Sequence, residues 1–199
     1  MKKILKRIYK AVTRKLAKKE HLLVNPNQGK FLNVEIMSSA ILSGENEIGE
    51  YTYIGFNSII TKSKIGRYCS IAGNVSIGIG EHKINRVSTN SIFYKNPWET
   101  LTEKECVIGN DVWIGTNSVI RRGVTIGDGA VVGANSFVNK DVKPFEVVAG
   151  APAKFIKMRF PDSTIERIQK SDWWSKELKE AKSLIEKLEL TGLFEQDDK

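Results

Sequence analysis

Histidine and cysteine are scarce, with two of each among 199 residues. A zinc site built on three histidines is therefore out of reach, and two cysteines at positions 69 and 106 make neither a disulfide framework nor a cysteine-rich metal site. Cys69 falls where its neighbours in the pattern are small buried residues, so a buried thiol is expected. No apolar run approaches the 18 or so residues of a membrane span, and no signal peptide with a cleavage site is visible, which points to a reducing cytoplasm. A basic body is missing too. The formal net charge is +8, but residues 1–20 hold nine Lys/Arg and one Glu, so the rest of the chain is balanced. That argues against nucleic acid as a partner, because a nucleic-acid-binding fold carries its basic face within the body.

What the chain has in abundance is a period of six. Ile36, Leu42, Ile48, Ile54 and Ile60 are evenly spaced; after a one-residue deletion come Ile65, Ile71 and Ile77; later come Ile108, Ile114, Ile120, Ile126, Val132 and Val138. Glycine often follows directly, as at Gly49, Gly66, Gly109 and Gly127, and four positions on the side chain is small, as at Thr52, Ser58, Cys69, Ser118, Ala130 and Ser136. A helix needs a period of 3.6 and an amphipathic strand a period of 2. Six suits short strands joined by tight turns, three hexapeptides to a coil, stacked about 4.8 Å apart as a parallel β-helix. The spacing leaves the hand of the coil open.

The repeat stops between Ile79 and Cys106, and His82 lies in that stretch. A lone loop histidine is by default a surface residue. Acyl transfer from a thioester to a hydroxyl, however, needs a base, and histidine, with an ordinary pKa near 6.5, is suited to it. Its second ring nitrogen needs an orienting partner, either a backbone carbonyl or a carboxylate such as Glu81. The other histidine, His21, ends the basic segment and is poorly placed for chemistry.

Two stretches carry a family resemblance. Residues 108–142 (IGNDVWIGTNSVIRRGVTIGDGAVVGANSFVNKDV) with residues 149–154 (AGAPAK) resemble the hexapeptide-repeat acyltransferases, and residues 80–94 (GEHKINRVSTNSIFY) are similar to the xenobiotic acetyltransferase branch. This branch includes chloramphenicol and streptogramin acetyltransferases and many polysaccharide O-acetyltransferases. The resemblance, over roughly residues 36–175, implies an all-β, left-handed parallel β-helix working as a homotrimer, with active sites between subunits. It implies acetyl-CoA as co-substrate, no metal, and His82 as general base in direct transfer without an acyl-enzyme. By the same resemblance Trp113 and Thr116 flank the pantetheine arm and Ala134 offers a backbone group. Asn139 and Lys140 stand where relatives have Thr-Lys, and Lys154 and Lys157 meet phosphates. Asn57 matches an acceptor-binding asparagine, and Tyr51, Tyr53, Phe93 and Tyr94 offer stacking faces, Tyr94 being the one assigned to the acceptor. Trp113 could equally be buried by a partner subunit, the lysines could be solvated charges, and the aromatics could be interface packing.

Three regions follow. Residues 1–24 form a basic amphipathic helix in which Leu5, Ile8, Val12 and Leu16 share a face over residues 2–19; it rests on an anionic membrane surface at the inner leaflet, docks on the trimer, or is a frayed tail. Residues 25–160 form the β-helix with its loop over 79–106. Residues 161–199 form a C-terminal helical cap and tail, with Trp173 and Trp174 packing on the last coil or a neighbour. The expected reaction is O-acetylation of a sugar hydroxyl in a bacterial surface-glycan pathway. Acetylation of an antibiotic hydroxyl and a non-catalytic trimeric scaffold are the alternatives.

Overall fold

The computed structural model describes residues 30–190. The expected basic helix over residues 2–19 and the far C-terminal tail lie outside the described residues.

Each hexapeptide makes one short strand, save at Val142, which forms only a single bridge to Ile126, and every third hexapeptide joins the same sheet. Face A holds β1 (Glu35–Ile36), β4 (Tyr53–Ile54), β7 (Ser70–Ile71), β10 (Trp113–Ile114), β13 (Val131–Val132) and β15 (Glu146–Ala149). Face B holds β2 (Ile41–Ser43), β5 (Ile59–Thr61), β8 (Ser76–Ile77), β11 (Val119–Ile120) and β14 (Phe137–Val138). Face C holds β3 (Glu47–Ile48), β6 (Ser63–Ile65), β9 (Cys106–Ile108) and β12 (Thr125–Ile126). All pairs within these three sets are parallel and in register, so Ile54 lies over Ile71 and Ile71 over Ile114. The product is a triangular prism with one aliphatic stack behind each face. Ile54, Ile60, Ile71, Ile77, Ile114 and Ile126 are wholly buried. Each such side chain contributes about 1.5–3 kcal/mol by leaving water.

The small residues four positions on turn inward at the corners and bond to the next coil. Thr52 Oγ1 donates to the Gly66 carbonyl at 2.9 Å, Ser58 Oγ to Ala72 at 2.9 Å and Ser118 Oγ to Gly133 at 3.0 Å. Buried polar groups need such partners, which is why the position tolerates Ser and Thr as readily as Val. Cys69 fills one of these positions and is 1% exposed. Glycine after the aliphatic residue has a steric cause: a Cβ on Gly115 would stand 2.5 Å from the Ala134 amide nitrogen of the next coil.

The corner between faces A and B turns through left-handed residues, and Asn57, Asn74, Asn117 and Asn135 all occupy it with φ between 57° and 59°. Asparagine is among the few non-glycine residues that enter this region readily. The corner between C and A carries instead an aromatic column of Tyr51 and Tyr68, followed on the later coils by Asp111, Gly129 and Phe145. Against this column pack the two C-terminal helices, α2 (Asp162–Ser171) and α3 (Leu178–Leu190), with the Trp173–Ser175 turn between them. Tyr68 lies 5.1 Å from Trp173, and Tyr51 donates to Glu177 at 2.6 Å. The helices expected near residues 163–190 are thus present, running along a corner. The free edge of face A is covered by β16 (Lys154–Met158), which pairs antiparallel with β15.

Candidate active site

The 79–105 segment leaves face B after Ile77 and returns to face C at Cys106, filling the same corner that other coils cross in a few residues. It contains a 3-10 turn (Ser91–Phe93), capped by the Asn90 side chain on the Ile92 amide, and a short helix α1 (Pro97–Leu101) with proline at its start. Several bonds pin its two legs. The Glu81 amide donates to the Leu101 carbonyl at 2.9 Å, and Lys83 pairs with Glu103. Arg121, on the next coil, reaches both Glu81 oxygens at 2.6 and 2.8 Å. Arg122, 7% exposed, donates to the carbonyls of Thr61, Lys62 and Lys104 at 2.7, 3.0 and 2.8 Å. Burial lowers its guanidinium from the ordinary arginine value, and the three carbonyl dipoles hold the charge in place.

His82 sits on this pinned loop, exposed within the single chain. Its Nδ1 lies 2.5 Å from the Thr89 carbonyl oxygen. A carbonyl can only accept, so Nδ1 carries the proton and Nε2 of the neutral ring is left with a free lone pair. The orienting partner is therefore backbone; Glu81, the carboxylate alternative, is committed to Arg121. Beside His82 opens a groove of about 530 Å³, lined by His82, Lys83, Asn85, Leu101, Lys104 and Arg121 together with Asn139, Lys140 and Asp141. Most of this lining is polar or charged.

The residues assigned to the cofactor do not form one cluster within a chain. Asn139 and Lys140 share the groove with His82. Trp113 projects from face A, 56% exposed. Thr116 and Ala134 lie at the A–B corner, where Thr116 Oγ1 donates to Gly73 at 2.7 Å. Lys154 and Lys157 are exposed on the β16 edge. Asn57 belongs to the asparagine-bearing corner of the solenoid and is exposed there, its amide donating to Ser39 Oγ at 3.0 Å. Tyr94 differs most from its expected part: it is 5% exposed, Arg86 lies 5.3 Å over its ring, and its hydroxyl is engaged inside the loop. It presents no open face for an acceptor to stack upon. Tyr51 likewise belongs to the aromatic column, where it stacks on Tyr68 at 4.9 Å.

Sequence reasoning missed Arg121 and Arg122. Their signal was positional: they follow Ile120, one coil on from Ile77 where the loop leaves, so they stand at the loop's own corner.

Among the described residues no group of three or more His, Cys, Asp or Glu could hold a metal ion, and no helix is long and apolar enough to cross a membrane.

Comparison with known proteins agrees with this architecture. The bacterial transferase hexapeptide model (six repeats) matches residues 105–140. The chain is 40% identical over 136 residues to a probable macrolide acetyltransferase of Lysinibacillus sphaericus, covering 63% of this chain and 73% of that protein. It is 39% identical over 114 residues to galactoside O-acetyltransferase of Escherichia coli K12, covering 55% and 52%. Among solved structures, the hexapeptide-repeat-containing acetyltransferase of Vibrio cholerae complexed with acetyl coenzyme A superposes with a TM-score of 0.53 at 28% identity, covering 74% of this chain and 87% of that one. These likenesses give the β-helix its left hand.

Proposed function

The chain belongs to the hexapeptide-repeat acetyltransferases, in the branch that includes enzymes acting on xenobiotics and sugars, with acetyl-CoA as donor; on that premise we propose that it is an O-acetyltransferase in which His82 is the general base. The observation that carries this reading is the contact of His82 Nδ1 with the Thr89 carbonyl at the rim of a polar groove. Nε2 takes the proton of the acceptor hydroxyl as its oxygen attacks the thioester carbonyl carbon. The tetrahedral intermediate then collapses with loss of the coenzyme A thiolate, which recovers the proton from His82. No acyl-enzyme is formed. The developing imidazolium keeps its Nδ1–H on the Thr89 carbonyl, whose dipole is already aligned to stabilise it.

The acceptor in this reading is a sugar hydroxyl of a surface-glycan pathway. Support comes from the groove lining, where Lys83, Asn85, Lys104, Arg121 and Asn139 offer hydrogen bonds to a polyol and few apolar groups offer contact to a drug ring. A drug acceptor is the second reading, favoured by the probable macrolide acetyltransferase among the relatives.

A homotrimer completes the site in this proposal. Trp113, Thr116, Ala134, Lys154 and Lys157 lie on other faces and edges than His82, so acetyl-CoA would reach both sets only with a second copy alongside. The loop also exposes Ile84, Ile92 and Phe93 at 90%, 76% and 65%, apolar surface that a neighbouring subunit would cover. Peripheral membrane contact through residues 2–19 rests on their sequence alone, a basic face opposite an apolar stripe.

The test is thiol release from acetyl-CoA across nucleotide sugars, short glycans, chloramphenicol and macrolides, with His82→Ala beside the parent. Release with glycans that falls 10²–10⁴-fold in the variant, coenzyme A binding unchanged, is the expected result. Release with the drugs alone transfers the proposal to the second reading, and unchanged turnover in His82→Ala removes the base.

A further inference from the structure

Tyr94 is the one aromatic side chain of the 79–105 segment that is fully enclosed, and its hydroxyl makes two bonds that both lead to His82. It donates to the Thr89 carbonyl at 3.1 Å, the same oxygen that accepts His82 Nδ1–H. It accepts from the Lys83 amide, the peptide bond immediately after His82, at 2.8 Å. The chain from His82 to Thr89 is thereby closed into a ring by one phenolic oxygen. The Tyr94 ring stands 6.3 Å from the imidazole, with Arg86 over it.

We propose that Tyr94 is a positioning residue for the acyl transfer, holding the Thr89 carbonyl where it selects the His82 tautomer and fixes the direction of Nε2. The inference rests on the reading of His82 as the base. Its physical content is simple. Thr89 is exposed, so without a second bond its carbonyl is free to turn toward water. An imidazole that loses this acceptor can rotate and can carry its proton on either nitrogen, and with the proton on Nε2 it is no base. Tyr94 touches neither substrate nor reacting atom. It acts through one carbonyl with two lone pairs, one for His82 and one for itself. The aromatic side chain expected from sequence to stack on the acceptor is thus assigned to holding the catalytic loop.

Tyr94→Phe removes one oxygen and keeps the buried ring. The expected result is a fall in kcat of roughly tenfold, with KM for acetyl-CoA and for the acceptor within about twofold of the parent, because ring direction matters in the transition state and little in binding. A loosened groove would raise KM instead. The second readout is ¹⁵N NMR of the histidine ring. The chain has two histidines, so His21→Gln leaves His82 as the only signal. Its ring nitrogens should report a proton on Nδ1 in the parent and a mixture of tautomers in Tyr94→Phe, read well below the melting temperature of either protein.

His82→Ala separates the two ideas. An inactive His82→Ala beside a Tyr94→Phe with parental kcat and an unmixed tautomer overturns the positioning role and leaves the base standing. An active His82→Ala removes both. An inactive His82→Ala with the kcat loss and the mixed tautomer establishes the inference.

Discussion

Arg121 grips Glu81 through two parallel bonds, its Nε 2.6 Å from one carboxylate oxygen and its terminal nitrogen 2.8 Å from the other. The pair spans from the first residues of the 79–105 loop to the next coil of the prism, so it anchors the loop's entry. It also consumes both oxygens of the acidic side chain adjacent to His82. The imidazole is left to a backbone carbonyl, whose position depends on the loop's fold and on the Tyr94 hydroxyl, and on no carboxylate.

Glu81→Gln should therefore weaken anchoring and leave the chemistry in place. Both side chains are more than a third exposed, and solvent-screened pairs of this kind stabilise by about 0.2–1 kcal/mol. The expected loss in kcat is less than tenfold, against at least a hundredfold for His82→Ala. A steady-state comparison of the two variants checks it, and equal losses would return Glu81 to the mechanism.

Arg122→Met removes a buried cation and abandons three carbonyls, two from the Thr61–Lys62 corner of one coil and one from the loop's exit. Leaving such acceptors unsatisfied costs about 1–3 kcal/mol for each group that water cannot reach. A loss of about 2–4 kcal/mol in urea unfolding is expected, with cleavage by protease appearing first between residues 79 and 105. Parental stability would show that water replaces the guanidinium without penalty.

Both thiols should be inert in the folded protein. Burial pushes Cys69 from an ordinary 9.0 up to about 12 and raises Cys106 as well. The thiolate is the reactive form. At pH 8 a thiol reagent should label neither residue until denaturant is added, and then both. The linkage has a definite sign. Above pH 9 the unfolded chain loses a thiol proton that the folded chain retains, so the native state is progressively disfavoured up to pH 12, by at most about 1.4 kcal/mol per pH unit for Cys69. Urea midpoints measured from pH 8 to 10.5 test this; Cys69→Ser controls for the other alkaline groups.

The hexad spacing was enough to foresee the prism, because one aliphatic and one small residue in every six must face inward, and Ile54, Ile71 and Ile114 have no other place to go. The break at Ile79 was equally legible, since an insertion interrupts a period without hiding it. The faces could have been tracked further: Trp113 lies three hexads from Val131 on one sheet, while Asn139 follows Val138 on another, so the two cannot adjoin in one chain. What orients His82 was beyond such reading. A carbonyl is common to every residue, and its selection by His82 and Tyr94 arises only when the loop closes on itself. Tyr94 misled for a related reason, since aromatic character alone does not say whether a ring will face a ligand or its own backbone.

The loop departs after Ile77 and returns at Cys106, and Cys106 pairs with Ser63 in the register an uninterrupted coil would use. The ladder below and the ladder above meet as though the intervening residues were absent. Closing so long a detour carries an entropy penalty that grows only with the logarithm of its length. The segment is in effect a cassette: its length and chemistry can be rewritten while the prism keeps its pitch, provided the corner that receives it still offers Arg121 and Arg122 as clasps. On the proposed function, transplanting the whole segment together with those two arginines, and not the segment alone, is the unit by which such a solenoid would exchange one acceptor for another.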